Sequence, residues 1–315
     1  MMPSWMQITL LLIVLLVIVL IAVYGYWARQ VQKPAKGNPT EFLAQGGAAA
    51  GQRVVVCLGA SIVHGRVSVD FVDLLRQRFS GQGLAFVNAG VNGDLAYNAL
   101  QRLDSVVACN PDAVVILVGT NDVQCSLSER IRKLAARGKH LPVTPSIDWY
   151  ESTFAEILTQ LAQRTHAVVA VSQLPVLGED LTSLPNTRTG EFNDVLRQVA
   201  AAHGAAFFPL HERQAEILIT ERGSNGPVYT ESFGPVMGAA LRHFLLGQSL
   251  DDISRRNGLL LTTDRIHLNS RSAGIVVEWV IEFSSGQPSI ATIDRRRGSC
   301  SHLPIPLPTT AIRRP

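Results

Sequence analysis

RVVVCLGAS, residues 53–61, is the stretch whose reading decides the fold. Five consecutive apolar side chains, rich in β-branched residues and closed by a Gly-Ala-Ser turn, are too few for an amphipathic helix and suit a strand covered on both faces. Strands of that kind belong to parallel sheets with helices on either side. We therefore read residues 53–58 as a strand, and similar runs at 84–87, 113–118, 167–171 and 205–208 as four more. Between them, apolar residues at three- and four-residue spacing predict helices over 69–79, 95–107, 148–164, 191–203 and 272–283. Alternating strands and helices make right-handed βαβ units, hence a three-layer α/β/α domain around a mostly parallel five-stranded sheet.

In such a sheet the carboxyl ends of the strands line one crevice. Ser61 follows the first strand, Gly93 lies in Asn88-Ala89-Gly90-Val91-Asn92-Gly93-Asp94 after the second, and Asn121 lies in Gly119-Thr120-Asn121-Asp122 after the third. Asp264-Arg265-Ile266-His267 stands in a polar stretch just before the last helix. A serine hydroxyl is a poor nucleophile until a base takes its proton, and an imidazole does so best when a carboxylate fixes its tautomer. Taken singly, Ser61 and the Asn92-Gly93 pair are ordinary turn residues and His267 an ordinary polar one. Their shared placement at one sheet edge points to acyl transfer.

The four blocks, in this order, resemble the SGNH hydrolases, the GDSL-type esterases and lipases, over residues 53–284. The resemblance implies a flavodoxin-like architecture and assigns roles residue by residue. Ser61 would be the nucleophile and, through its backbone N–H, the first oxyanion donor; Gly93 would give a second N–H and Asn121 a side-chain amide; Asp264 and His267 would complete the triad. One position departs from the pattern: the family has Asp directly before the serine, and this chain has Ala60. That change bears on local rigidity and substrate preference more than on reaction class. It also motivates the alternative reading, a tethered SGNH-fold binding module that has lost turnover.

Other chemistries lack their signatures. Gly59-Ala60-Ser61-Ile62-Val63 has no glycine two residues after the serine, so it is not the G-x-S-x-G elbow. No H-E-x-x-H, Walker A sequence or paired C-x-x-C occurs, and Asp264 and His267 have no third metal ligand at helical or hairpin spacing. The expected site holds no metal, and the expected chemistry requires no cofactor.

Residues 1–28 carry no charged side chain, and residues 8–23 are apolar apart from Thr9. With Trp5 at one end and Tyr24, Tyr26 and Trp27 at the other, the stretch has the ~20 residues that cross a bilayer and the aromatics that mark its interfaces. A cleaved signal peptide would carry a basic start, a shorter apolar run and a small-residue cleavage site. Residues 1–28 are therefore expected to be a single transmembrane anchor, and 29–50, with Pro34, Pro39, Gly46 and Gly47, a linker. Arg29, Lys33 and Lys36 follow the span, so the positive-inside rule puts the catalytic domain in the cytoplasm, a periplasmic domain being the other orientation. Cys57, Cys109, Cys125 and Cys300 show no disulfide framework that would decide the side.

The domain, 51–285, has 20 Lys and Arg against 23 Asp and Glu. A nucleic-acid-binding face would carry a basic excess, so none is expected. The overall +3 comes from the two ends, including the Pro-rich tail 286–315 with Arg295, Arg296 and Arg297, which is expected to be disordered. Two stretches exceed what βαβ connections need: 123–147, with Arg130, Arg132, Lys133, Arg137 and Lys139, and 212–263, which leads into the Asp264 block. The first reads as a solvated basic helix face, or as a cover for lipid headgroups or the site; the second, as a wall of the acyl pocket. The sequence thus describes a membrane-anchored serine hydrolase of carboxylic esters or thioesters, whose small-molecule or lipid substrate and oligomeric state it leaves open.

Overall fold

In β1 (Arg53–Gly59), Val54, Val56 and Leu58 point to one side of the sheet and Val55 and Cys57 to the other, and all five are buried. Burial on both faces is what makes this strand a continuous apolar run. The protein is described here by a computed structural model covering residues 3–284. The tail 286–315 lies outside the described residues.

In chain order, α1 (Ser4–Gln32) and α2 (Pro39–Ala44) precede β1, which is followed by α3 (Ser61–His64), α4 (Phe71–Arg78) and β2 (Leu84–Gly90). Next come α5 (Ala96–Gln101), α6 (Leu103–Ala108), β3 (Ala113–Leu117), α7 (Thr120–Leu127), α8 (Glu129–Gly138), α9 (Ile147–Arg164) and β4 (Val168–Ser172). The chain continues through α10 (Leu184–Ala202), β5 (Ala206–Phe208), α11 (Leu210–Arg222), α12 (Gly234–Leu246), α13 (Leu250–Arg256) and α14 (Ser270–Ser284). All five strands are parallel, in the order β2-β1-β3-β4-β5. The expected three-layer architecture is therefore present. One core packs Val54, Val56 and Leu58 with α5, α6, α9 and α10; the other packs Val55 and Cys57 with α4 and α14.

The register aligns the strand ends. Gly59 of β1 lies opposite Gly90 of β2 and Leu117 of β3, so the loops that follow all three strands leave the sheet at one level. The order of connection also reverses between β1 and β3, the point at which open α/β sheets form their crevice.

Three elements differ from the sequence expectation. The helix expected over 95–107 is two helices, α5 and α6, joined at Arg102, whose guanidinium turns inward to the carbonyls of Ala89 (2.6 Å) and Gly59 (2.7 Å). Helix α10 starts well before residue 191, with a proline in its first turn; the Asn186 side chain ties that turn to the backbone of Leu177. The 29–50 stretch is more structured than a linker. Helix α1 continues through Gln32, Asn38 caps α2, and the Gly37 carbonyl accepts the Asn88 N–H at 3.0 Å along the open edge of β2. Covering an edge strand in this way removes a template for unwanted pairing.

Helix α1 has 29 residues, carries no buried residue and has a mean hydropathy of 3.2 across its most apolar window. It is a candidate membrane span by length and composition.

Candidate active site

The β1 strand ends at Gly59, where a Cβ would sit 2.3 Å from the Leu117 carbonyl oxygen and 2.2 Å from Val63. Only glycine fits that close approach, and it lets the chain turn directly into α3 with Ser61 as its first residue. Ser61 Oγ lies 3.0 Å from His267 Nε2, although the two residues are 206 positions apart in sequence. His267 Nδ1 lies 2.7 Å from Asp264 Oδ2. The other carboxylate oxygen, Oδ1, accepts the backbone N–H groups of Ile266 (3.1 Å) and His267 (2.9 Å). Asp264 and His267 are buried, while Ser61 is partly open to solvent.

The Asp264–His267 turn owes its shape to Arg265, which has φ 77°. A non-glycine residue in the left-handed region is costly unless its surroundings hold it there. Here the Arg265 carbonyl accepts the Gly178 N–H at 2.8 Å, and the Thr263 N–H donates to the His267 carbonyl at 2.7 Å. Two further ties fix this loop. Ser68 Oγ bonds both the N–H (3.1 Å) and the carbonyl (3.3 Å) of Leu268, linking the chain after Ser61 to the chain after His267. Glu179, fully buried, accepts the N–H groups of Leu260, Leu261 and Thr262, the Thr262 hydroxyl and the Arg222 guanidinium. A carboxylate left unpaired there would be strongly destabilising; with five donors it clamps the segment that delivers Asp264.

The second and third loops meet through their own bonds. Gly93 has φ 74°, a conformation glycine adopts freely. Asn121 Nδ2 donates to the Asp94 carbonyl at 2.8 Å, which uses one of the two hydrogens the amide nitrogen carries. The buried Asp94 carboxylate is held by Arg102 Nε and Lys139 Nζ, each at 2.8 Å, and Lys139 also donates to the Asn92 carbonyl at 2.7 Å. Arg102 thus joins the ends of β1 and β2 to the Gly93 loop. Burial lowers the Arg102 pKa, and Asp94 opposes that shift.

The structure therefore brings Ser61, Asp264 and His267 into one hydrogen-bonded line and joins Asn121 to the residue beside Gly93. Ala60, where the family resemblance implies Asp, is a buried apolar residue whose carbonyl accepts the His64 N–H at 2.9 Å. Sequence reasoning missed Arg102 and Glu179. Arg102 gave no signal within its helical pattern, and Glu179 gave only a carboxylate next to an apolar run. A cavity of about 860 Å³ lies between residues 31–44 and the end of β2, lined by Val31, Ala35, His64, Gly90, Asn92 and Lys139 among others. It borders the Gly93 loop but neither Ser61 nor His267 lines it.

Asp122, next to Asn121, is buried and accepts the Ala96 N–H at 3.2 Å. Burial pushes its pKa up to about 8, more than that hydrogen bond pulls it down. A carboxyl that is more basic folded than unfolded binds its proton more tightly in the native state, so stability falls as pH rises from about 4 towards 8. Asp122→Asn keeps an acceptor and cannot ionise. Melting temperatures across pH 4 to 9 are expected to show the variant gaining on the parent chain through that window; a gap independent of pH would show that the carboxyl is not the titrating group.

Comparisons with known proteins bear on the family and the fold. Residues 57–227 match the GDSL-like lipase/acylhydrolase family. Among solved structures, an acetylxylan esterase from Geobacillus stearothermophilus is similar at 17% identity and a TM-score of 0.53, over 77% of this chain and 96% of that one. A second acetyl xylan esterase is similar at 18% identity and the same TM-score, over 74% of this chain and 99% of that one. A search of curated proteins finds no match.

Proposed function

Because the chain belongs to the GDSL-like lipase/acylhydrolase family, an ester-hydrolysing class, we propose that it is a membrane-anchored serine hydrolase acting on carboxylic esters or thioesters through an acyl-enzyme on Ser61. The observation that carries this reading is the continuous line from Ser61 Oγ through His267 to Asp264, at 3.0 and 2.7 Å. His267 Nε2 takes the hydroxyl proton as Oγ attacks the carbonyl carbon. The tetrahedral oxyanion is held by the N–H groups of Ser61 and Gly93 and by the second amide hydrogen of Asn121. Asp264 stabilises the imidazolium and keeps Nδ1 protonated. As the tetrahedral intermediate collapses, His267 gives its proton to the departing alkoxide or thiolate. In the second half, His267 deprotonates water, which attacks the acyl carbon and returns Ser61 to its free form.

The anchoring reading rests on α1. Its apolar length, its aromatic ends and Arg29, Lys33 and Lys36 on one side support a single-pass protein with a cytoplasmic catalytic domain. We take the chain to be organised as anchor 1–28, connecting segment 29–50 and catalytic domain 51–285.

A fluorophosphonate probe tests the enzymatic reading directly, since it labels only a serine whose base is in place. The expected result is one labelled peptide, containing Ser61, whose labelling is lost in His267→Ala. An unlabelled native protein would favour the tethered binding module.

A further inference from the structure

The carboxyl end of α1 is seated on the crevice itself. The Val31 carbonyl accepts from Asn92 Nδ2 at 2.5 Å, the Lys33 carbonyl lies 2.9 Å from His64 Nε2, and Gln30 Oε1 accepts from Arg66 at 2.6 Å. Asn92 directly precedes Gly93, and His64 closes the short helix that begins at Ser61. Tyr24, Tyr26 and Trp27 mark the end of the apolar run, and Val31 follows Tyr26 by five residues. At 1.5 Å per residue that is about 7 Å of helix, comparable to the polar layer of one leaflet, roughly 5 to 8 Å.

Helix α12 lies beside this junction and packs against α1, with the Tyr26 hydroxyl 3.4 Å from the Phe244 carbonyl. One side of α12 is spoken for: Ala239 packs with Leu250 and Ile253 of α13. The other is largely apolar and exposed. Phe233 and Leu245 are 49% and 45% exposed, and at helical spacing they share a stripe with the partly exposed Met237, Leu241 and Phe244; Leu246, beside it, is 68% exposed. Cations flank the stripe, with the Arg130 guanidinium 5.9 Å from the Phe233 ring centre and that of Arg66 5.3 Å from Phe244. Apolar anchors ringed by arginine suit the acyl boundary and the anionic headgroups of a bilayer.

We propose that α12 is a second membrane contact, lying in the phospholipid interface beside α1, so that the crevice opens at headgroup depth and takes an amphiphilic ester resident in the bilayer. The proposal rests on reading α1 as a membrane span and Ser61 as the nucleophile. It names a substrate class different from the acetylated xylan of the two solved structures.

The test uses the full chain reconstituted in vesicles of phosphatidylcholine and phosphatidylglycerol. In a Cys300→Ser background, the other three cysteines are buried, with thiol pKa values pushed up to about 11 or 12, so a nitrobenzoxadiazole label can be directed to Leu246→Cys or, as a control, to Ser152→Cys on α9. The label at 246 is expected to shift to the blue and to be quenched by nitroxide-bearing lipids, and the label at 152 is not. Separately, Phe233→Asp with Leu246→Asp is expected to lower turnover of p-nitrophenyl palmitate held in the vesicles by about tenfold or more, with p-nitrophenyl acetate turnover unchanged. An unquenched label at 246 in a chain that resists alkaline carbonate overturns the docking of α12 and leaves the span intact. Release by carbonate overturns the span. A quenched label with no turnover of either ester overturns the role of Ser61 alone. Equal loss on both esters, or a dimer in detergent that Leu246→Asp dissolves, assigns the face to a structural role or to a second copy and overturns the proposal.

Discussion

Ser61→Ala and His267→Ala are each expected to lower kcat by about 10⁴-fold or more, and the double variant to lose little beyond either single one. The reason is that hydroxyl and imidazole act as a unit: without Nε2 at 3.0 Å the hydroxyl keeps its proton, and without Oγ the imidazole has nothing to activate for acyl transfer. Both substitutions leave the ties through Ser68 and Glu179 in place, so the melting temperature should change little. Rates on a chromogenic ester, with melting curves on the same preparations, check this. Substantial activity in either single variant, or losses that multiply in the double, would exclude a shared triad.

Asn121→Ala is the second large effect. Its amide hydrogen is aimed by the bond to the Asp94 carbonyl, and Asp94 is itself held by Arg102 and Lys139. A donor fixed in advance stabilises charge that appears only in the transition state, so kcat should fall by about 10²- to 10³-fold. KM should scarcely move, because the ground-state carbonyl gains little from the same hydrogen. Loss of the Asp94 bond also loosens the Gly93 loop, so the melting temperature must be read alongside. A stable Asn121→Ala enzyme with undiminished kcat would remove Asn121 from the oxyanion site.

Much of this was legible in the sequence because parallel strands buried on both faces write themselves as apolar runs. Residues 53–58 and 113–118 needed no tertiary information, and the strand ends carried Ser61, Gly93 and Asn121 with them. The supports were not legible. Arg102 falls at a polar position of an apolar periodicity that continues from 95 to 107, and its role depends on three acceptors brought together only by the folded sheet. Glu179 bonds backbone groups 81 to 83 positions away, a relation with no local pattern. The 29–50 segment looked like a linker because Pro34, Pro39, Gly46 and Gly47 punctuate it and it has little apolar periodicity, whereas its order comes from the edge of β2 that it covers. Helix α12 was hidden for a related reason: its glycines read as loop, and much of its apolar side is exposed.

The 206 positions between Ser61 and His267, the proposed nucleophile and base, also set a schedule. At the ~5 to 20 residues per second of synthesis, about 10 to 40 seconds separate the emergence of Ser61 from that of His267. During that interval the first three strands and the oxyanion loops exist as nascent chain, but the serine has no base and remains a plain alcohol. The last segment to leave the ribosome before α14 is the one that arms it. On the proposed mechanism, a hydrolase built in this order is inert while it is being made, and a product truncated before residue 264 carries a serine it cannot use.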